Sequence, residues 1–152
     1  FHVAGPSSGS GTFSAMRRPP GVLFLCVHNA GRSQMGAGWL RHLAGGRIRV
    51  LSAGSSPSET VNPMAVEAMA EVGVDISSSR PQRWTEAMVR AVDVVVSMGC
   101  GDECPVYPGT RRLDWQLEDP AGQGMEMVRG VRDEIRTLVE KLLEDLLDEE
   151  DS

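Results

Sequence analysis

The sequence predicts an α/β fold, a single domain built on a parallel β-sheet with helices on both faces. Three observations carry this prediction. Short apolar runs alternate with amphipathic helical stretches from Gly21 onward. The clearest run is apolar throughout, the mark of a strand buried on both faces. Helical segments separate the runs, as the right-handed crossovers of a parallel sheet require. A chain of 152 residues suits one core, and no repeat or second domain interrupts it.

Residues 1–20 are rich in Gly, Ser and Pro and lack any apolar period. They are set aside as a disordered leader or vector-derived remnant, with 21–147 as the folded domain and 148–152 as an acidic tail. Val22-Leu-Phe-Leu-Cys26 reads as the first strand. Gln34 to Leu43 follows as a helix, with Met35, Trp39, Leu40 and Leu43 at helical spacing and Gly45-Gly46 as its stop. Ile48 to Ser52 is a second strand, ended by Ala53-Gly54. Asn62 as cap and Pro63 in the first turn open a helix that runs through Met69 to Gly73. Val92 to Ser97 is the third strand. Met125 to Leu147 is a long amphipathic helix with Val128, Val131, Ile135, Leu138, Val139, Leu142 and Leu146 on one side. Met35, Met64, Met69 and Met88 read as core filler, and His42 and Arg111-Arg112 as solvated surface.

Composition narrows the function. Net charge is −6, with acid concentrated between Glu140 and Asp151 and no basic stripe, which argues against nucleic-acid or anionic-membrane binding. The longest apolar runs are too short to span a bilayer, and no basic segment leads into an apolar one as in a secretory signal. A cytoplasmic location is expected. Three cysteines, Cys26, Cys100 and Cys104, do not make the disulfide framework of a small secreted domain. In a reducing compartment such residues are free, metal-bound or catalytic.

Ligands bind parallel sheets at the carboxyl ends of the strands, where the loops after Leu25 and Ser97 should open together. The first of these loops, Cys26-Val-His-Asn-Ala-Gly-Arg32-Ser33, passes from a buried strand into a helix. Its amides and the helix dipole form a nest for a tetrahedral anion, with Val27, His28, Asn29, Ala30 and Gly31 contributing backbone. Arg32 can grip two oxygens with its planar fork, and the same positive field favours the Cys26 thiolate, to which Ser33 could donate a hydrogen bond. These parts suit one chemistry: binding an oxyanion and attacking its central atom with sulfur. Cys26, His28, Cys100 and Cys104 could supply four zinc ligands, but their spacings match no zinc motif, and no metal is expected.

The segment Val22 to Met35 resembles the signature of the low-molecular-weight tyrosine phosphatase superfamily: Cys, five residues, then Arg-Ser, with Asn29 in fourth place. Gln34-Met35, Ser52-Ala-Gly54, Val61-Asn-Pro63, Asp114-Trp115 and Asp119-Pro-Ala-Gly122 are similar to the arsenate reductase branch of that superfamily. The resemblance covers Gly21 to about Leu143 and implies a four-stranded parallel sheet in a three-layer α/β/α domain. It implies Cys26 as nucleophile, Arg32 as oxyanion clamp and Asp119 as the general acid that protonates the leaving oxygen.

For arsenate reduction it further implies a relay in which Cys100 releases arsenite and Cys104 closes a disulfide reopened by thioredoxin. Relatives that use mycothiol and mycoredoxin need only the loop thiolate. Either way the electron donor is a thiol and no cofactor is tightly bound. Ala37 stands where some thioredoxin-coupled members carry a glutamate that helps bind potassium, so no such site is implied. A monomer is expected. The alternative is a phosphatase using Cys26, Arg32 and Asp119 alone, although Tyr107 is the sole tyrosine and the aromatic walls usual around phosphotyrosine are missing. A non-catalytic oxyanion sensor would make little use of a nucleophilic thiolate.

Overall fold

The computed structural model describes residues 19–99 and 110–151. The sequence-predicted leader therefore falls almost wholly outside it, as do Cys100, Cys104 and Tyr107. Four strands form one parallel sheet: β1 (Gly21–Cys26), β2 (Arg49–Gly54), β3 (Val94–Ser97) and β4 (Arg111–Asp114), in the order β2-β1-β3-β4. β1 lies at the centre with all six residues buried, as its uninterrupted apolar character requires. Its register against β2 sets Cys26 beside Gly54, and against β3 it sets Leu25 beside Ser97. All three strands therefore end at one edge.

Side chains alternate across β1 and split the core in two. Val22, Phe24 and Cys26 face the larger layer, covered by α1 (Arg32–Ala44), α2 (Pro63–Glu71) and α4 (Met125–Asp151). Leu23 and Leu25 face a smaller layer with Val89, Val92, Val95 and the half-buried Trp84, around the short α3 (Glu86–Arg90). The result is the three-layer α/β/α domain. Among the described residues no helix is long and apolar enough to cross a membrane.

Several elements differ from the sequence reading for identifiable reasons. β3 begins at Val94, because the Asp93 carboxylate turns back to accept from the Gly21 amide at 2.7 Å. β4, Arg-Arg-Leu-Asp, carries no apolar run because it is an edge strand with exposed ends. α3 is five residues long, too short for periodicity to reveal, and is marked only by the Thr85 cap, which accepts from the Met88 amide. α2 starts as read, with the Asn62 side chain accepting from the Met64 amide at 2.9 Å and Pro63 at the first position. α4 continues to Asp151, past Leu147, since neither Gly nor Pro stands between them. Its predicted stripe is buried except for half-buried Leu138, and Arg132 joins it unforeseen.

Arg132 is buried because every nitrogen of its guanidinium finds an acceptor. It donates to the Ala68 carbonyl at 2.8 Å, to Glu71 at 2.9 Å and to Asp133 at 2.8 Å. Arg129 adds a bidentate pair to the same Glu71 carboxylate, at 2.9 and 2.7 Å. These bonds hold the Glu71 pKa down to about 2 and fasten the end of α2 to α4.

Candidate active site

The site is built on the loop that carries β1 into α1. Cys26, the last residue of β1, is 2 % exposed, and its Sγ lies 2.9 Å from Ser33 Oγ. Asn29 fixes the direction of that contact. Its Oδ1 accepts from the Gln82 amide at 2.9 Å, so its Nδ2 is the atom that donates to Ser33 Oγ at 2.7 Å. With its oxygen already accepting, the Ser33 hydroxyl is free to aim its proton at the Cys26 sulfur.

The loop carbonyls are all engaged. Val27, His28 and Ala30 accept from the amides of Ser56, Ser58 and Asn62 at 2.8, 3.0 and 2.8 Å, and Gly31 accepts from Met35 at 2.9 Å. The Gln34 side chain donates to the Asn29 carbonyl at 3.0 Å. The amides of His28 through Gly31, by contrast, find no acceptor among the described residues. A loop whose carbonyls are committed and whose amides are unspent is a nest for an anion.

That shape needs unusual backbone. Asn29 takes the left-handed conformation at φ +51°, a region where asparagine is enriched. Gly31, at φ −128° and ψ −87°, caps α1 outside the standard basins. Its missing side chain leaves room for Pro120, whose Cγ lies 3.3 Å from where a Cβ would stand. Gly54 matters as much. A Cβ there would come within 2.6 Å of the Val27 carbonyl oxygen and 3.0 Å of the Asn29 nitrogen, so only glycine lets β2 run this close under the loop.

Arg32 is buried at the start of α1, and its Nη2 lies 3.6 Å from Asp119 Oδ2. Asp119 is half-exposed, and its Oδ1 accepts from the Ala121 amide at 3.0 Å, the turn expected of Asp-Pro. Cys26, Arg32, Asp119 and the loop residues His28, Ala30 and Gly31 line a pocket of about 350 Å³, closed on one side by Ser58, Thr60, Asn62 and Pro63. The His28 ring is exposed, with Nδ1 3.1 Å from the Ser56 carbonyl oxygen. Trp115, half-buried, packs against the core with its ring 5.9 Å from Phe24, and is not among the residues that line the pocket.

The structure thus brings Cys26, Arg32, Ser33, Asp119 and the 27–31 loop into one site. Sequence reasoning assigned no part in it to Gln34, Gln82, Gly54 or Ser58-Thr60. Their contributions are side-chain and packing contacts, and only the Gln34-Met35 and Ser52-Ala-Gly54 matches hinted at two of them. Among the described residues no cluster of metal-ligating side chains occurs.

Fold and pocket together define a class of enzyme, one that can hold a tetrahedral anion over a cysteine sulfur. The chain belongs to the low molecular weight phosphotyrosine protein phosphatase family, which it matches over residues 21–152. It is similar to the glutaredoxin arsenate reductase of Synechocystis, at 41% identity over 125 residues, covering 80% of this chain and 95% of that one. Among solved structures it is similar to a thioredoxin-dependent arsenate reductase of Corynebacterium glutamicum, with 42% identity, a TM-score of 0.75 and 84% of this chain covered. The match spans 62% of that longer chain. It is also similar to an arsenate reductase in a phosphate-binding state, at 37% identity and TM-score 0.75, covering 84% of this chain and 98% of the other.

Proposed function

We propose that this protein is a cytoplasmic arsenate reductase in which the Cys26 thiolate attacks arsenate held by the 26–33 loop. Cys100 and Cys104 then relay the oxidation to thioredoxin. The observation that carries the reading is the Asn29–Ser33–Cys26 chain of contacts at the floor of an amide nest. It aims a hydroxyl proton at the sulfur that is to attack. The similarity to arsenate reductases supports the choice of oxyanion.

In the first step a bond forms between Cys26 sulfur and arsenic while one arsenic–oxygen bond breaks. Asp119, at the pocket edge, protonates the departing oxygen, which leaves as water. Arg32 and the loop amides balance the charge on the remaining oxygens. The Cys100 thiolate next attacks Cys26 sulfur. A disulfide forms, the sulfur–arsenic bond breaks, and its electron pair reduces arsenic from As(V) to As(III), released as arsenite. Cys104 then attacks Cys100, frees Cys26 and leaves a Cys100–Cys104 disulfide for thioredoxin to reopen. Cys100 directly follows Gly99, which borders Arg32, and this adjacency supports its part in the relay.

The family match favours a second activity, hydrolysis of phosphate monoesters through a Cys26 phosphoenzyme, with Arg32 and Asp119 in the same roles. Steady-state NADPH consumption with arsenate, thioredoxin and thioredoxin reductase separates the readings. Turnover in the wild type but not in Cys104→Ser supports the relay. Turnover only with mycothiol and mycoredoxin, or with glutathione and glutaredoxin, assigns a single-thiolate mechanism. Phosphotyrosine hydrolysis with no arsenate turnover assigns a phosphatase.

A further inference from the structure

Gly99, two residues past the end of β3, has a positive φ of +103°. Six other described glycines are close to neither backbone nor side chain on the side where a Cβ would stand, and four of them, Gly45, Gly46, Gly73 and Gly122, also have positive φ. Gly99 differs. A Cβ there would collide with Nη1 of Arg32 and stand 3.2 Å from its Cζ and 3.6 Å from its Nη2. The same guanidinium meets Asp119 through Nη2 at 3.6 Å. The fork therefore borders both a bare α-carbon and a carboxylate, and it occupies space that a side chain at position 99 would need.

We propose that Gly99 is a positioning residue for oxyanion binding, and that it acts through Arg32 by leaving the space that the guanidinium occupies beside the pocket. The inference rests on the reading of the 26–33 loop as an oxyanion site. Any side chain at position 99 meets the mobile end of a long side chain, not backbone. The guanidinium yields, the fold persists, and the bidentate geometry that gives arginine its hold on two oxygens is lost.

Gly46→Ala is the control, because Gly46 has nearly the same φ, +92°, nothing within 4 Å of its Cβ position, and a place beyond the far end of α1. It carries the cost of a side chain at positive φ without any contact to the site. Phosphate binding to the reduced full chain is measured by calorimetry in wild type, Gly46→Ala, Gly99→Ala, Arg32→Lys and the Gly99→Ala/Arg32→Lys double variant, with thermal melts alongside.

Gly99→Ala should melt within a few degrees of Gly46→Ala yet bind phosphate about tenfold or more weakly, the worth of a contact to a charged group. In the Arg32→Lys background the same substitution should change affinity less than twofold, since the group it acts through is gone. Wild-type affinity in Gly99→Ala overturns the proposal. An equal loss in both backgrounds overturns it too, as does unfolding of Gly99→Ala where Gly46→Ala folds. Failure of the wild type to bind phosphate would instead remove the oxyanion reading itself.

Discussion

Ser33→Ala tests the contact on which the nucleophile depends. The substitution deletes a hydroxyl that sits 2.9 Å from Cys26 Sγ and 2.7 Å from Asn29 Nδ2. A hydrogen bond to a charged group contributes about 1.5–3 kcal/mol, equivalent to a factor of about 10 to 150 in an equilibrium constant. The attacking sulfur loses that hydrogen bond, so attack on an oxyanion should slow by about 10- to 100-fold. A second effect falls on stability: Asn29, fully buried, keeps an unpartnered amide proton, at a cost of about 1–3 kcal/mol. The two effects separate in the assay. Alkylation of Cys26 by iodoacetamide, measured in a Cys100→Ser/Cys104→Ser background so that one thiol reports, reads the sulfur's reactivity directly, and urea denaturation reads stability. Phosphate should protect Cys26 in both proteins. An alkylation rate within twofold of the parent, in a folded Ser33→Ala protein, would refute the argument that Ser33 supports the attacking sulfur.

Gly54→Ala should perturb the loop from beneath, because its Cβ meets backbone at 2.6 and 3.0 Å and neither strand nor loop can yield cheaply. Destabilisation of about 1–3 kcal/mol in urea is expected, with phosphate binding falling further than stability alone explains. The Glu71 carboxylate, held near pKa 2 by Arg129 and Arg132 against an ordinary 4.5, contributes stability that is present above the ordinary value. That contribution is lost as pH falls from about 4.5 toward 2, so the stability gap between wild type and Glu71→Gln should narrow across that window and not above it. Denaturation midpoints at stepped pH check this, and a constant gap would contradict it. Ile135→Ala, at a fully buried position of α4, should cost about 2–5 kcal/mol while leaving activity per folded molecule unchanged.

The parts legible in the sequence are those with local causes. β1 announces itself by an apolar run, α2 by Asn62-Pro63, α4 by its stripe, and the pocket loop by Cys26, Arg32 and Ser33 at fixed spacing. What stayed hidden is held in place from elsewhere in the chain. Asn29 adopts φ +51° because Gln34 and Gln82, 5 and 53 positions away, bind its carbonyl and side chain. Gly54 and Gly99 matter for what passes beside them, and a glycine's neighbours in space cannot be read from its neighbours in sequence. β4 escaped because an edge strand needs no apolar run, and Arg132 because a basic residue on a buried stripe betrays its partners only once α2 is packed beside it.

The central claim is that this chain carries both the nucleophile and the electrons for one round of reduction. Fully reduced protein, freed of every external thiol, is mixed with arsenate, and arsenite and free thiols are counted after a single turnover. The account predicts arsenite equal to the chain concentration, a loss of two thiols per chain, and neither change in Cys26→Ser. Phosphate binding without arsenite, with all thiols retained, would contradict it.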